Sequence, residues 1–133
     1  MVQGVADTHA VIWYLSASPR LSLPAKAYLD TATATGDQIA ISSITLIEMI
    51  YLIEKGRIAA ESFTHLVSLP EGARGLFLEV PRDMRISRSL ARVGANTVPD
   101  MPDRIIAATA LYLGVPVISK DSKIHLSGLT TIW

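Results

Sequence analysis

The feature that most constrains the fold is a recurring pair: a short apolar, β-prone run, then a longer segment with helical periodicity. Val2–Ala6 is the first such run, and Ala10, Val11, Tyr14 and Leu15 follow it at helical spacing. Ser22, Pro24 and alanine-rich sequence to Ala34, halted at Gly36, give the cap, early proline and stop of a second helix. Residues 39–42 read as a strand and 45–55 as a helix ending at Gly56. Residues 59–69 read as another helix, 70–75 as a turn-rich connection, 76–80 as a third strand, 83–93 as a helix halted by Gly94, and 94–102 as a loop. A helix over 103–113 stops at Gly114, a buried strand spans 115–119, and 129–133 suit a final edge strand. This alternation predicts an α/β fold: a mostly parallel central sheet of about five strands with helices on both faces, because parallel neighbours require helical crossovers.

With 133 residues, half of them hydrophobic, the chain is expected to form one domain over residues 1–133 with a substantial core. The absence of cysteine excludes disulfides, a thiolate metal site and a cysteine nucleophile, and fits a reducing compartment. No basic segment precedes an apolar one at the N-terminus, and no uncharged run approaches the ~20 residues of a membrane span, so a soluble, cytoplasmic protein is expected. Twelve basic residues balance twelve acidic ones. A grip on nucleic acid must therefore be a local patch rather than a property of the whole surface.

Parallel sheets place their chemistry outside the carboxyl ends of the strands, where the strand order reverses. Asp7 directly follows the first run and Asp121 comes two residues after the run ending at Ser119, so both carboxylates can enter one crevice. Asp103 opens a helix. Each has an ordinary reading too: Asp7 as an N-cap, Asp103 as a complement to a helix dipole after Pro102, Asp121 as a turn residue in Ser-Lys-Asp-Ser-Lys. Glu48 has the least ordinary setting, flanked by Ile44, Leu46, Ile47, Met49, Ile50, Leu52 and Ile53. Either Thr45, Glu48 and Lys55 form a narrow solvated stripe, or the carboxylate is buried and needs a partner. Carboxylates gathered on one sheet edge raise one another's pKa unless a cation neutralises them, and oxygen-only donors suit magnesium or manganese.

Four segments carry a resemblance: Val5-Ala-Asp7-Thr-His-Ala-Val-Ile-Trp13, Ser42-Ser-Ile-Thr-Leu-Ile-Glu48, Pro102-Asp103-Arg-Ile-Ile-Ala-Ala-Thr-Ala-Leu111 and Pro116-Val-Ile-Ser-Lys-Asp121. In order and spacing the whole chain resembles PIN-domain ribonucleases, in particular the VapC-like toxins of toxin–antitoxin pairs. The resemblance implies a divalent-metal-dependent endoribonuclease that hydrolyses RNA phosphodiester bonds. It makes Asp7, Glu48, Asp103 and Asp121 the catalytic acids and the holders of one or two Mg2+ or Mn2+ ions. Asp7 and Asp103 are expected to hold the principal ion, Asp121 to complete its shell, and Glu48 to orient or deprotonate the attacking water. Ser119 stands where the family often has threonine and supports the last acid, with Thr8 and Ser43 as further supporting groups. Ile124 and His125 stand where the family often has an aromatic residue. Asp100, a turn before Asp103, is a secondary candidate, either beside the site or in the loop.

Arg82, Arg85, Arg88 and Arg92 are spaced by three, three and four, so one helix would align them as a phosphate rail or as an ordinary solvated face. Arg104 and Lys120 adjoin two of the acids and are placed either for the scissile phosphate or for pairing with a carboxylate. His9, His65 and His125 lack the spacing of a helical zinc motif and read as structural or surface groups. Trp13 and Tyr14 lie in apolar-periodic sequence, where core packing is expected, and nothing marks a base-stacking platform. The apolar richness of residues 44–53 suggests a homodimer face or a groove for a partner peptide, which the resemblance makes an antitoxin. Two other readings make different demands. A phosphoacceptor receiver domain calls for paired acids after the first strand and a lone aspartate after a central one. A catalytically idle RNA-binding or scaffold module predicts no metal dependence.

Overall fold

The apolar runs become five strands of one parallel sheet in a computed structural model, which describes residues 1–67 and 75–133. The strands are β1 (Val2–Ala6), β2 (Gln38–Ser42), β3 (Phe77–Val80), β4 (Val117–Ile118) and β5 (Thr131–Ile132), in the order β3-β2-β1-β4-β5. Every neighbouring pair is parallel, with Val5 opposite both Ala40 and Val117. The chain steps outward from β1 through β2 to β3, then returns to the other side of β1 with β4. The strand order therefore reverses between β1 and β4, the position where loops diverge and leave a crevice.

Side chains of period two divide between two cores, as expected for a sheet covered on both faces. Val5, Ala40 and Val117 point into one; Ala6, Ile39, Ile41 and Ile118 point into the other. The first core is closed by α5 (Met84–Leu90), α6 (Met101–Leu113) and α7 (Ser122–Leu126), and the second by α1 (Thr8–Leu15), α2 (Leu23–Thr35), α3 (Ser43–Glu54) and α4 (Ala60–Val67). Ala107, Ala108 and Ala110 let α6 lie close against the sheet, all fully buried. Its C-terminus is set by Gly114 at φ 68°, as Gly36 at φ 73° ends α2, a left-handed conformation that glycine reaches without a Cβ clash. At Gly4 a Cβ would meet the Pro116 carbonyl oxygen at 3.2 Å, so the close approach of β1 and β4 depends on glycine there.

Some expected boundaries shift. The helix expected over 83–93 ends at Leu90, and the chain then turns so that Val93 and Val98 are buried. Burial of those two side chains prevails over continued helical periodicity. Pro102 lies in the first turn of α6 rather than in a loop, where its missing N–H has no intrahelical partner to lose. The 115–119 and 129–133 runs pair only at 117–118 and 131–132, and α7 was not anticipated. The connection expected over 70–75, apart from Gly75, and the helix end expected at Leu69 fall outside the described residues. Among the described residues no helix is long and apolar enough to cross a membrane.

Candidate active site

Asp7 leaves β1 and caps α1, its Oδ1 accepting the Ala10 N–H at 2.8 Å. Asp121 follows β4 and caps α7, accepting the Lys123 N–H at 2.8 Å. Capping accounts for one oxygen of each carboxylate and leaves the rest to the crevice. Ser119, 2% exposed, joins the two: its hydroxyl accepts the Asp121 N–H at 3.0 Å and is within reach of the Asp7 carboxylate, whose charged form it favours. Asp103, in the first turn of α6, has its carboxyl within hydrogen-bond reach of Asp121. Together Asp7, Asp103 and Asp121 line a cleft of about 400 Å3 whose other walls are His9, Trp13, Lys120, Ser122 and Trp133.

Glu48 approaches from α3. Its Oε1 accepts the Thr8 hydroxyl at 2.5 Å, and Thr8 Oγ1 lies 3.2 Å from Thr45 Oγ1. Thr8 has one proton and gives it to Glu48, so Thr45 donates to Thr8. Thr45 is fully buried, and Thr8 nearly so, which removes the solvated stripe of Thr45, Glu48 and Lys55 as a reading. In its place stands a directed chain of hydroxyls that orients the carboxylate.

Burial pushes the Asp7 carboxyl above its ordinary range, opposed by its bonds to Ser119 and Ala10 and by His9, and reinforced by Asp121. Burial likewise raises Glu48, with Thr8 opposing and Asp100 and Asp7 adding to the rise. Asp103 is pushed up to about 7, first by burial, then by its contact with Asp121 and the charges of Asp100 and Glu48. The acids thus share one electrostatic field. Among the described residues the ion pairs fall on Asp30, Asp37 and Asp83 and none on these acids.

The donor chemistry fits a hard divalent cation. Two carboxyls in mutual contact, as Asp103 and Asp121 are, need a proton or a cation between them. As the side chains stand, no three acidic or imidazole groups among the described residues converge on one point, so holding an ion requires rotamer adjustment.

The other expected site residues divide. Asp100 is the N-cap of α6, accepting the Asp103 N–H at 3.3 Å. Lys120 is on the cleft wall with its Nζ 5.1 Å from the centre of the Trp13 ring. Ser43 points elsewhere, donating to Glu79 at 2.9 Å beside β3. Arg104 does not face the acids: its Nε donates to the Val93 carbonyl at 2.9 Å and its Nη2 to the Leu90 carbonyl at 3.1 Å, tying down the turn after α5. The arginine rail is not a single helix face. Only Arg85 and Arg88 lie on α5; Arg82 precedes its cap, Arg92 follows its end, and Arg85 is bound to Asp83. All four are exposed. His125 bonds Thr131 at 2.9 Å, but His9 lines the cleft. Trp13, expected in the core, is only half-buried and faces the acids with Trp133. Trp133 carried no signal of its own in the sequence; it reaches the site because β5 pairs with β4.

The model of the PIN domain family matches residues 5–126, a span that includes all four acids. The chain belongs to the PIN-domain family. Solved PIN-like folds resemble it over nearly their whole length. VapBC2 from Rickettsia felis, bound to a DNA fragment from its promoter, has a TM-score of 0.67 at 15% identity, covering 98% of this chain and 97% of that one. FitAcB from Neisseria gonorrhoeae gives 0.64 at 21% identity, covering 97% and 96%. DNA-bound VapBC from Salmonella typhimurium gives 0.67 at 20% identity, covering 98% and 97%. At these identities the likeness concerns the fold. No curated protein matches the sequence significantly.

Proposed function

We propose that this PIN domain is a divalent-metal-dependent endoribonuclease acting as the toxin of a toxin–antitoxin pair. The observation that carries the reading is the meeting of Asp7, Asp103 and Asp121 in one cleft at the β1/β4 reversal, with burial and mutual repulsion and, among the described residues, no ion pair to offset them. Asp7, Asp103 and Asp121 would hold one or two Mg2+ or Mn2+ ions. Bound there, such ions supply Lewis acidity toward the phosphate and lower the pKa of water. Glu48, oriented by Thr8 and Thr45, takes the proton of the attacking water. Ser119 holds Asp7 and Asp121 in register, and Lys120 offers its ammonium to a non-bridging phosphate oxygen. Exposed Arg82, Arg88 and Arg92 are available for more distant phosphates.

The apolar face of α3 leaves Ile47, Ile50 and Tyr51 exposed at 36, 41 and 60%, which supports a protein partner, either an antitoxin chain or a second copy. Fold relatives named as two-component VapBC and FitAcB assemblies favour the antitoxin. The test is incubation of partner-free protein with total cellular RNA in Mg2+, in Mn2+ and in chelator. Cleavage is expected only with metal and is lost in Asp7→Asn, which retains the fold. Absence of metal-dependent cleavage in every condition rejects the nuclease and favours the scaffold reading.

A further inference from the structure

We propose that Trp13 and Trp133 form a stacking platform for one unpaired nucleobase beside the phosphate that is cut. The inference rests on the nuclease reading and assigns that site its selectivity for single-stranded nucleic acid. The chain has only two tryptophans, and both line the cleft that contains Asp7, Asp103 and Asp121. Their ring centres are 5.8 Å apart and tilted by 57°, so they form an open angle rather than a closed stack. Each ring is half-buried: one part packs on the apolar core and the rest meets the cleft.

The placement is tied to the catalytic acids by the strand register. The Ser119 N–H donates to the Ile132 carbonyl at 3.2 Å, so Trp133 is one residue beyond the bond that anchors the serine holding Asp7 and Asp121. Trp13 lies inside residues 5–126, the part that matches the family model, and Trp133 lies beyond it. A cleft of about 400 Å3 falls within the roughly 300–1,000 Å3 of small-ligand sites and offers room at the scale of one nucleotide.

Lys120 stands over the Trp13 ring, its Nζ 5.1 Å from the ring centre, so a base that stacks beside it brings its attached phosphate to the ammonium. Stacking of a base on an aromatic ring changes affinity by roughly 5- to 150-fold.

Because both tryptophans line this cleft, intrinsic fluorescence reports on it directly. The experiment titrates wild-type protein in chelator with a five-nucleotide single-stranded RNA, then with copies carrying one abasic ribose at each position in turn. Trp133→Leu and Trp133→Phe are titrated alongside, and cleavage is assayed separately in Mg2+ and Mn2+. Saturable quenching is expected, with a roughly 5- to 150-fold loss of affinity at one abasic position. Trp133→Leu should lose affinity similarly for intact RNA but not further for that abasic RNA, and Trp133→Phe should keep most of it. Equal affinity for every abasic copy, or losses that simply add, overturns the platform. So does quenching by a tri-arginine peptide with none by RNA, which gives the cleft to a protein segment. If Trp133→Leu fails to fold, the wild-type abasic series and Trp133→Phe still decide. Cleavage without base-dependent quenching removes the platform and leaves the nuclease; base-dependent quenching without cleavage in either metal removes the nuclease and leaves a nucleic-acid site.

Discussion

The aspartates on the open surface and the acids in the cleft sit in similar local structures but opposite electrostatic states. Asp83 and Asp7 both cap helices, yet Arg85 holds the Asp83 carboxyl below its usual range while burial pushes that of Asp7 above it. Asp30 is likewise lowered, first by the Lys26 ammonium at 2.7 Å and then by the Tyr14 hydroxyl at 2.8 Å. Asp37 is lowered first by the Thr35 hydroxyl at 2.9 Å, with the N-terminal ammonium nearby. Those acids carry their counter-charge within the chain. Among the described residues no ion pair falls on Asp7, Glu48 or Asp103, and burial raises all three, so a proton or a cation from outside would relieve their charge.

The largest break in that comparison is Asp103→Asn. Cleavage is expected to fall by at least about a hundredfold, since the change removes a carboxylate of the proposed metal site. Metal-free stability should move the other way. In the native protein Asp103 keeps a proton up to about pH 7, whereas unfolded it releases it near its ordinary value, so the folded state binds more protons between the two. Stability in chelator is therefore full below about pH 4 and declines as pH rises through about 7. Thermal melts in chelator from pH 5 to 8 should show a fall of about 2–5 °C for wild type, allowing for solvent screening at a half-exposed group, and a shallower fall for the variant, in which Asp7 and Glu48 remain raised. An equal fall in both would show that Asp103 is not the source of the cost.

A smaller effect is expected at Thr8. Thr8→Val keeps the shape but cuts the Thr45–Thr8–Glu48 chain, removing the bond that opposes the rise of the Glu48 pKa. The maximal rate should fall by about tenfold and the acid limb of the pH–rate profile should move to higher pH, as for a base made harder to ionise. An unmoved acid limb would separate Glu48 from proton transfer.

Legibility in the sequence followed the same division between local and distant information. The alternation of runs, the caps at Ser22 and Asp7 and the stops at Gly36 and Gly114 are local signals, and the parallel sheet follows from them. Asp7, Glu48 and Asp121 could be nominated because each follows a strand or sits on the helix after one, whereas Asp103 opens α6, the second helix after β3. Arg104 was misread because adjacency to Asp103 in sequence says nothing about direction: on α6 its side chain turns to the carbonyls of Leu90 and Val93. Ser43 was misread for the same reason, one residue past the cap of α3 but turned toward Glu79. The role of Thr45 and the presence of Trp133 at the cleft depend on contacts 37 and 120 residues away, with Thr8 and Trp13, and no local pattern encodes them.

The smallest effect sharpens the comparison from the other side. Asp83 caps α5 through the N–H groups of Arg85 and Ile86, at 2.9 and 3.3 Å, and its second oxygen accepts from the Arg85 guanidinium. Its pKa is lowered by Arg85 first, so its contribution is present above the ordinary carboxylate range and is lost as pH falls through the lowered value. Asp83→Ala should therefore lower the melting temperature by about 1–3 °C at pH 7, with the gap closing in acid below about pH 4. High salt should remove the part that comes from the exposed ion pair and leave the part that comes from the cap, whose partners are backbone amides at contact distance. Cleavage should be unchanged, because the residue is not among those that line the cleft. The slope with pH is thus opposite to that of Asp103→Asn. If Asp83→Ala instead stabilised the protein at pH 7, the contrast between acids paired within the chain and acids left for an external cation would lose its physical basis.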